Sequence, residues 1–267
     1  HLPVPVSATV PGFDPDAFGS VGLDAAGAVL AAIGLATERL PVVALTRSGR
    51  DDLGCGGART TLPLGAPAPA AVPAATDPAE ALRDARESLA AHTGGGIGFG
   101  LLRHLHPQAV IALSGFAPAL TVTVDDRRGL TVAEPDAAPA AAASDPTGAT
   151  LVVVLNDDEP ELHLTGAVPD GLDATTFVAA CADALTALTR AAADPANHLG
   201  PRPSDVVSTA LTAAELRALS ARTEQPITAV WGLSPLQAGL YFQSAVSGEL
   251  DIYNAQFVLS FDRALEP

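Results

Sequence analysis

The chain has 267 residues and a formal net charge of −16, with 30 acidic residues against 14 basic ones, all of them Arg. That balance excludes the basic stripe that nucleic-acid phosphates require, and the absence of Lys excludes Schiff-base chemistry and a phosphate loop ending in Lys. At 48 % apolar and 16 % charged residues, the sequence can bury one large core or two smaller ones and is not a charge-driven disordered chain.

In chain order, residues 4–10 (VPVSATV) are expected as a strand and 24–39 as a helix with Asp24 at its N-cap. Residues 41–46 (PVVALT) are a buried strand running into the polar loop Ser48-Gly49-Arg50-Asp51, and the Pro/Ala stretch 66–76 is a surface loop. Asp77-Pro78-Ala79-Glu80 combines an N-cap, an N1 proline and an N3 acid, which opens a helix running to about residue 92. Residues 109–113 (AVIAL) and 120–124 (LTVTV) are expected as short strands, and 135–148 as a second low-complexity loop. Residues 150–155 and 161–167 form a strand pair around the turn Asn156-Asp157-Asp158-Glu159. Helix 173–193 places Phe177, Cys181, Leu185 and Leu188 on one stripe. Strands and helices interleave, so the first part of the chain is α/β or α+β.

Residues 194–206 carry three prolines and two polar caps, the composition of a linker. Two capping boxes follow, Thr212-Ala213-Ala214-Glu215 and Ser234-Pro235-Leu236-Gln237. The second opens a helix over 234–246 that carries Leu236, Leu240 and Phe242 or Gln243 on its inward stripe, and 255–261 then alternates as a strand; this segment is expected to pack loosely, its stripe lacking a partner. No apolar run reaches about 18 residues, so no membrane-spanning helix is expected. The opening His1-Leu2-Pro3 is neither a start Met nor a signal peptide, so the chain is expected to begin inside a longer, cytoplasmic protein with Cys55 and Cys181 as reduced, buried thiols.

The residues alone reveal no active site. His104 and His106 have the wrong spacing for two ligands on one helix face, and His92, His163 and His198 have no acidic or cysteine cluster beside them, so no metal is expected. The consecutive acids Asp157, Asp158 and Glu159 fit a solvated hairpin tip better than a cation site. The glycine-rich run Gly94–Gly100 follows a helix and precedes no Lys, which disfavours nucleotide binding. Ser114-Gly115 lacks the frame of a hydrolase elbow.

Two segments carry a specific resemblance. Gly96-Ile97-Gly98-Phe99-Gly100-Leu101-Leu102-Arg103-His104-Leu105 resembles the Gly-Ile-Gly-Tyr-Gly-Leu-Leu-Arg-Tyr-Leu signature of epimerization domains in nonribosomal peptide synthetases. Leu233-Ser234-Pro235-Leu236-Gln237-Ala238-Gly239-Leu240-Tyr241-Phe242 resembles the opening motif of the condensation domains of the same enzymes. Between them, Pro203-Ser204-Asp205 and Leu211 to Leu216 look like the usual bridge, and Gly57 to Leu64 is similar to a Gly-x-Phe-x-Asn-Thr-Leu-Pro-Leu-like run.

The resemblance implies that 1–193 is the C-terminal lobe of an epimerization-type domain, 194–226 an interdomain linker with a short helix, and 227–267 the N-terminal stub of a downstream condensation domain. The implied fold is a chloramphenicol-acetyltransferase-like lobe, a mixed sheet with flanking helices. The implied activity is isomerisation of an aminoacyl or peptidyl thioester at Cα, coupled to downstream amide-bond formation. The substrate rides on the phosphopantetheine arm of a carrier protein, with no cofactor bound directly. The implied partners are carrier and neighbouring synthetase domains, with neither nucleic acid nor membrane.

Departures from the pattern are equally specific. No adjacent His pair of the His-His-x-x-x-Asp-Gly motif occurs. Against the family's Glu-Gly-His-Gly-Arg-Glu run, the acid falls on Thr46 and the histidine on Ser48, while Gly49, Arg50 and Asp51 remain. The family's Phe-Asn-Tyr-Leu-Gly run falls near Val110 to Ser114, its Asn close to Ile111. Proton exchange at Cα needs a base on one face and an acid on the other, and a threonine hydroxyl cannot replace the carboxylate. No catalytic residue is therefore assigned. The fragment is expected to be inactive by itself, and the rival expectation is a degenerate lobe that acts as a scaffold or carrier-protein docking surface. The resemblance implies a substrate tunnel between two such lobes, and Arg50 is expected either to line it or to pair structurally with a carboxylate, and Arg103 to be structural.

Overall fold

The computed structural model describes residues 5–47, 67–90, 92, 96–128, 148–194, 197, 200–206, 211–223, 225, 227–247 and 262. Its centre is a mixed sheet of six strands: β1 (Val6–Thr9), β2 (Val42–Thr46), β3 (Ala68–Ala71), β4 (Leu120–Asp126), β5 (Ala149–Leu155) and β6 (Glu161–Thr165), in the order β1-β6-β5-β4-β2-β3. β2, β4 and β5 are mutually parallel, while β1, β6 and β3 add antiparallel strands at the two sides. The expected mixed sheet with flanking helices is thus what the chain forms.

Three helices supply the core side of this sheet: α1 (Ala25–Ala36), α2 (Pro78–Ala90) and α5 (Ala174–Ala193). Helix α1 is apolar all round, AAGAVLAAIGLA, because it lies inside: residues 26 to 34 are all buried, with α2 and α5 packed against it. Its small residues set how near its neighbours come. A Cβ at Gly34 would stand 2.1 Å from the Pro73 carbonyl oxygen, so only glycine lets the 72–75 segment cross here. Asp24 opens α1 as expected, accepting from the Gly27 amide at 2.8 Å. Helix α5 opens on Asp173, which accepts from the Thr176 amide at 2.8 Å, and it buries Phe177, Cys181, Leu185 and Leu188 as expected. Phe177, Leu185 and Leu188 each contribute about 1.5–3 kcal/mol by leaving water.

Register then divides the sheet into two chemically different faces. Val43, Leu45, Val122, Leu151, Val153, Leu162 and Leu164 join the helices in the apolar core. On the alternate face the polar residues Thr46, Thr121, Thr123, Asp125 and Thr150 are also buried, among Ala44, Val152 and Val154.

Two expectations fail. The strand expected at 109–113 is helical: α4 (Pro107–Leu113) follows α3 (Ile97–Leu105), with Pro107 in its first turn and the His106 ring accepting from the Ala109 amide. A short apolar run has no period of its own, and the N1 proline decides in favour of helix. The next strand is β4. The surface loop expected at 66–76 contains β3, an edge strand that pairs with β2 despite Pro69. Helix α2 lines this edge: Ser88 donates to the Ala71 carbonyl at 2.8 Å, and His92 Nε2 donates to the Pro69 carbonyl at 2.7 Å.

Beyond α5, a single 3-10 turn (Pro203–Asp205), α6 (Ala213–Ser220) and α7 (Pro235–Ser247) complete the described chain. Both capping boxes form: Thr212 with Glu215, and Ser234 with Gln237, whose side chain accepts from the Ser234 amide at 2.8 Å. The apolar stripe of α7 is not buried, as expected for a loosely packed segment. Leu236, Tyr241, Phe242 and Val246 are exposed and Leu240 is half-buried. The strand expected at 255–261 lies outside the described residues.

Candidate functional site at the ends of the parallel strands

In open α/β sheets, ligands sit beyond the carboxyl ends of parallel strands. Here those ends are Thr46 on β2, Asp125 and Asp126 on β4, and Asn156 just after β5. Thr46 is 3 % exposed and opposite Thr123, whose hydroxyl donates to that of Thr46 at 3.4 Å. Two residues further along β4 on the same face, Asp125 is 2 % exposed, the only buried charged side chain among the described residues. Arg127 donates to its Oδ2 through both Nε and Nη2, each at 2.8 Å. The other carboxylate oxygen, Oδ1, is buried with no hydrogen-bond partner, and so is Asn156 Oδ1. Buried acceptors left unsatisfied are costly, of order 1–3 kcal/mol each, and mark a place that invites a donor.

The rim of this region is held by ion pairs. Arg47, which follows Thr46, turns back to Asp24 at 2.9 Å. Arg128 bridges Asp126 at 2.8 Å and Asp16 at 3.0 Å, and the hydrogen bond to Asp126 raises its pKa further. Chemically, a threonine pair offers hydroxyl dipoles and no titrating base near neutrality, whereas Asp125 offers one oxygen tied by Arg127 and one open.

Asp125 and Asn156 did not stand out in the sequence. The period of two along L-T-V-T-V-D already places 121, 123 and 125 on one face, and a carboxylate at a buried strand position is the signal that could have found the site. Ser48, Gly49, Arg50 and Asp51, with Cys55 and Gly57 to Leu64, lie outside the described residues.

Helix α3 carries Gly98, Gly100 and Arg103, and opens at Gly96. Gly96 has φ of +87°, and a Cβ there would stand 2.8 Å from that of Ala68, so backbone and space both require glycine. The Arg103 guanidinium stands 5.7 Å from the Phe116 ring centroid, with Phe99 edge-on to the same ring at 5.4 Å. Helix α3 packs on α4 and β3, and its opening residue Gly96 lies against Ala68, which pairs with Leu45 beside Thr46. Ser234, Pro235 and Gln237 belong to the cap of α7.

Of the histidines, His163 pairs with a single acid: its Nε2 lies 2.8 Å from Glu161 Oε2, two residues back on the same face of β6. Asp157, Asp158 and Glu159 are exposed in the turn between β5 and β6. Among the described residues no group of three or more His, Cys, Asp or Glu is placed to hold a metal ion, and no single helix is long and apolar enough to cross a membrane.

No family model and no curated protein matches the chain. Several solved structures are similar. The epimerization domain from the third module of tyrocidine synthetase B is 16 % identical with a TM-score of 0.48, the match covering 71 % of this chain and 48 % of that one. PapA2 acyl transferase is 18 % identical with a TM-score of 0.39, covering 72 % and 47 %. A structure of condensation domain-mediated chain release from the enacyloxin polyketide synthase is 16 % identical with a TM-score of 0.37, covering 78 % and 42 %. The chain therefore spans about half the length of the solved structures it matches.

Proposed function

We propose that the chain is part of a modular peptide synthetase, with 1–193 an epimerization-type C-terminal lobe, 194–226 a linker and 227–267 the start of a condensation domain. The observation that carries this is the pair of signature segments, Gly96–Leu105 and Leu233–Phe242, more than 120 residues apart in one chain and in the order such a junction requires. The expected substrate is an aminoacyl or peptidyl thioester on a carrier protein's phosphopantetheine arm, isomerised at Cα. Within the described residues Asp125 is the buried carboxylate that could hold a proton in such an exchange, because its Oδ1 is open.

A second reading, a non-catalytic scaffold or carrier-docking lobe, is favoured by one observation. Thr46 stands where the resemblance puts a carboxylate, and its hydroxyl is engaged with Thr123. Deuterium exchange at Cα of a carrier-bound substrate decides between the two, measured on the intact module. Exchange that disappears in Asp125→Asn supports the lobe as an enzyme. Absence of exchange in the unaltered module eliminates that activity and leaves the scaffold. The 267-residue chain by itself is expected to show none.

A further inference from the structure

A cavity of about 280 Å³ lies between α2, the 200–206 segment and α6. Four of the chain's 14 arginines line it: Arg83, Arg86, Arg202 and Arg217. Two acids, Asp84 and Glu87, share the lining and a third, Asp205, pairs with Arg202, so the four arginines keep a surplus of one positive charge in a molecule whose net charge is −16.

The distribution of bonds inside the cavity is uneven. Arg202 is matched, with Asp205 held bidentately and its closest contact at 2.6 Å. Arg86 is not matched in this way. Its Nη1 donates to the Val21 carbonyl at 3.4 Å and its Nη2 to the Gly200 carbonyl, both neutral acceptors, and its Nε is buried with no acceptor. Burial, and then the like charge of Arg202, hold this guanidinium below its ordinary pKa, although Asp205 and Glu87 act in the other direction.

We propose that this cavity binds a small phosphoryl oxyanion. A phosphate is drawn by the surplus positive charge and offers several oxygens to forked guanidinium donors. The volume stands at the small end of ligand pockets, suited to a phosphate with few further atoms. The site is separate from the strand ends and does not depend on the synthetase proposal.

The probe is inorganic phosphate, titrated calorimetrically into the full chain at pH 7.5 and fixed ionic strength, with succinate as the carboxylate arm. One phosphate is expected to bind, with succinate at least about tenfold weaker. The double variant Arg83→Gln/Arg217→Gln spares Arg86, which also ties the 200–206 segment to α2. It is expected to keep its fold by circular dichroism and to lose about tenfold or more in affinity per arginine. Asp84→Asn removes a repelling charge and is expected to tighten binding. Affinity is also expected to fall between about pH 7.5 and pH 6, the interval over which inorganic phosphate loses most of its second charge. The proposal is overturned if phosphate produces no saturable heat, if succinate binds as well, or if the folded double variant binds phosphate as tightly as the parent.

Discussion

Gly34→Ala tests whether the apolar interior is built around the close crossing of α1 and the 72–75 segment. The added methyl would stand 2.1 Å from the Pro73 carbonyl oxygen and 3.2 Å from both its carbonyl carbon and its Cγ. Carbonyl backbone cannot swing aside like a side-chain end, so the upper part of the overpacking range applies, about 3 kcal/mol. Alanine returns about 1 kcal/mol of helix propensity, so the net loss is about 2 kcal/mol. For a cooperative unit of about 150–250 residues that is a fall in Tm of roughly 4–8 °C. Gly98→Ala, on α3, supplies the contrast, because a Cβ there meets nothing within 4 Å and only the propensity gain remains. Urea unfolding followed by circular dichroism measures both. If Gly34→Ala holds its midpoint, or if Gly98→Ala falls as far, the close crossing is not what fixes α1.

Three further outcomes are expected. Burial leaves the Cys181 side chain 1 % exposed and pushes its thiol pKa up, so a Cys55→Ser chain should not react with a thiol reagent at pH 8 until denatured; labelling of the native protein would count against the placement of α5. Asp24→Ala should cost about 1 kcal/mol by removing the α1 cap, and Asp24→Asn less, because it keeps the acceptor for Gly27 and gives up only a partly exposed pair with Arg47; equal losses would mean that charge matters more than the cap. Burial, and secondarily Glu80, raise the Asp84 pKa in the folded state. Any stability from that shift is present below the ordinary carboxylate value and is lost as pH rises through the folded one. Asp84→Asn should therefore gain on the parent between pH 4.5 and 7.5, and a pH-independent difference in urea midpoint would contradict this.

Elements with local signals were legible in the sequence. Asp24 announces α1, the stripe from Phe177 to Leu188 announces α5, the two capping boxes announce α6 and α7, and the acidic turn announces the β5–β6 hairpin. What escaped depends on partners distant in sequence. β3 is a strand only because β2 lies beside it, since A-P-A-A carries no strand propensity. AVIAL could be strand or helix by composition, and the proline two residues before it was the overlooked arbiter. The candidate site was the least legible. Thr46 came to notice through a resemblance, but Thr123, Asp125 and Asn156 join it only through the parallel pairing of β2, β4 and β5. The pairing of Glu161 with His163 needed only the alternation along one strand.

The margin of the sheet at β3 has a consequence for how the protein behaves among other chains. Hydrogen bonding of Val72 to Pro41 sets the phase of the strand, so residue 69 turns its amide position and its carbonyl away from β2. Pro69 has no N–H to offer there, its carbonyl is taken by His92, and that of Ala71 by Ser88. An incoming strand would find a missing donor and two occupied acceptors along a border four residues long. This border is thereby sealed against strand addition, so a largely uncharged, alanine-rich segment need not serve as a template for aggregation.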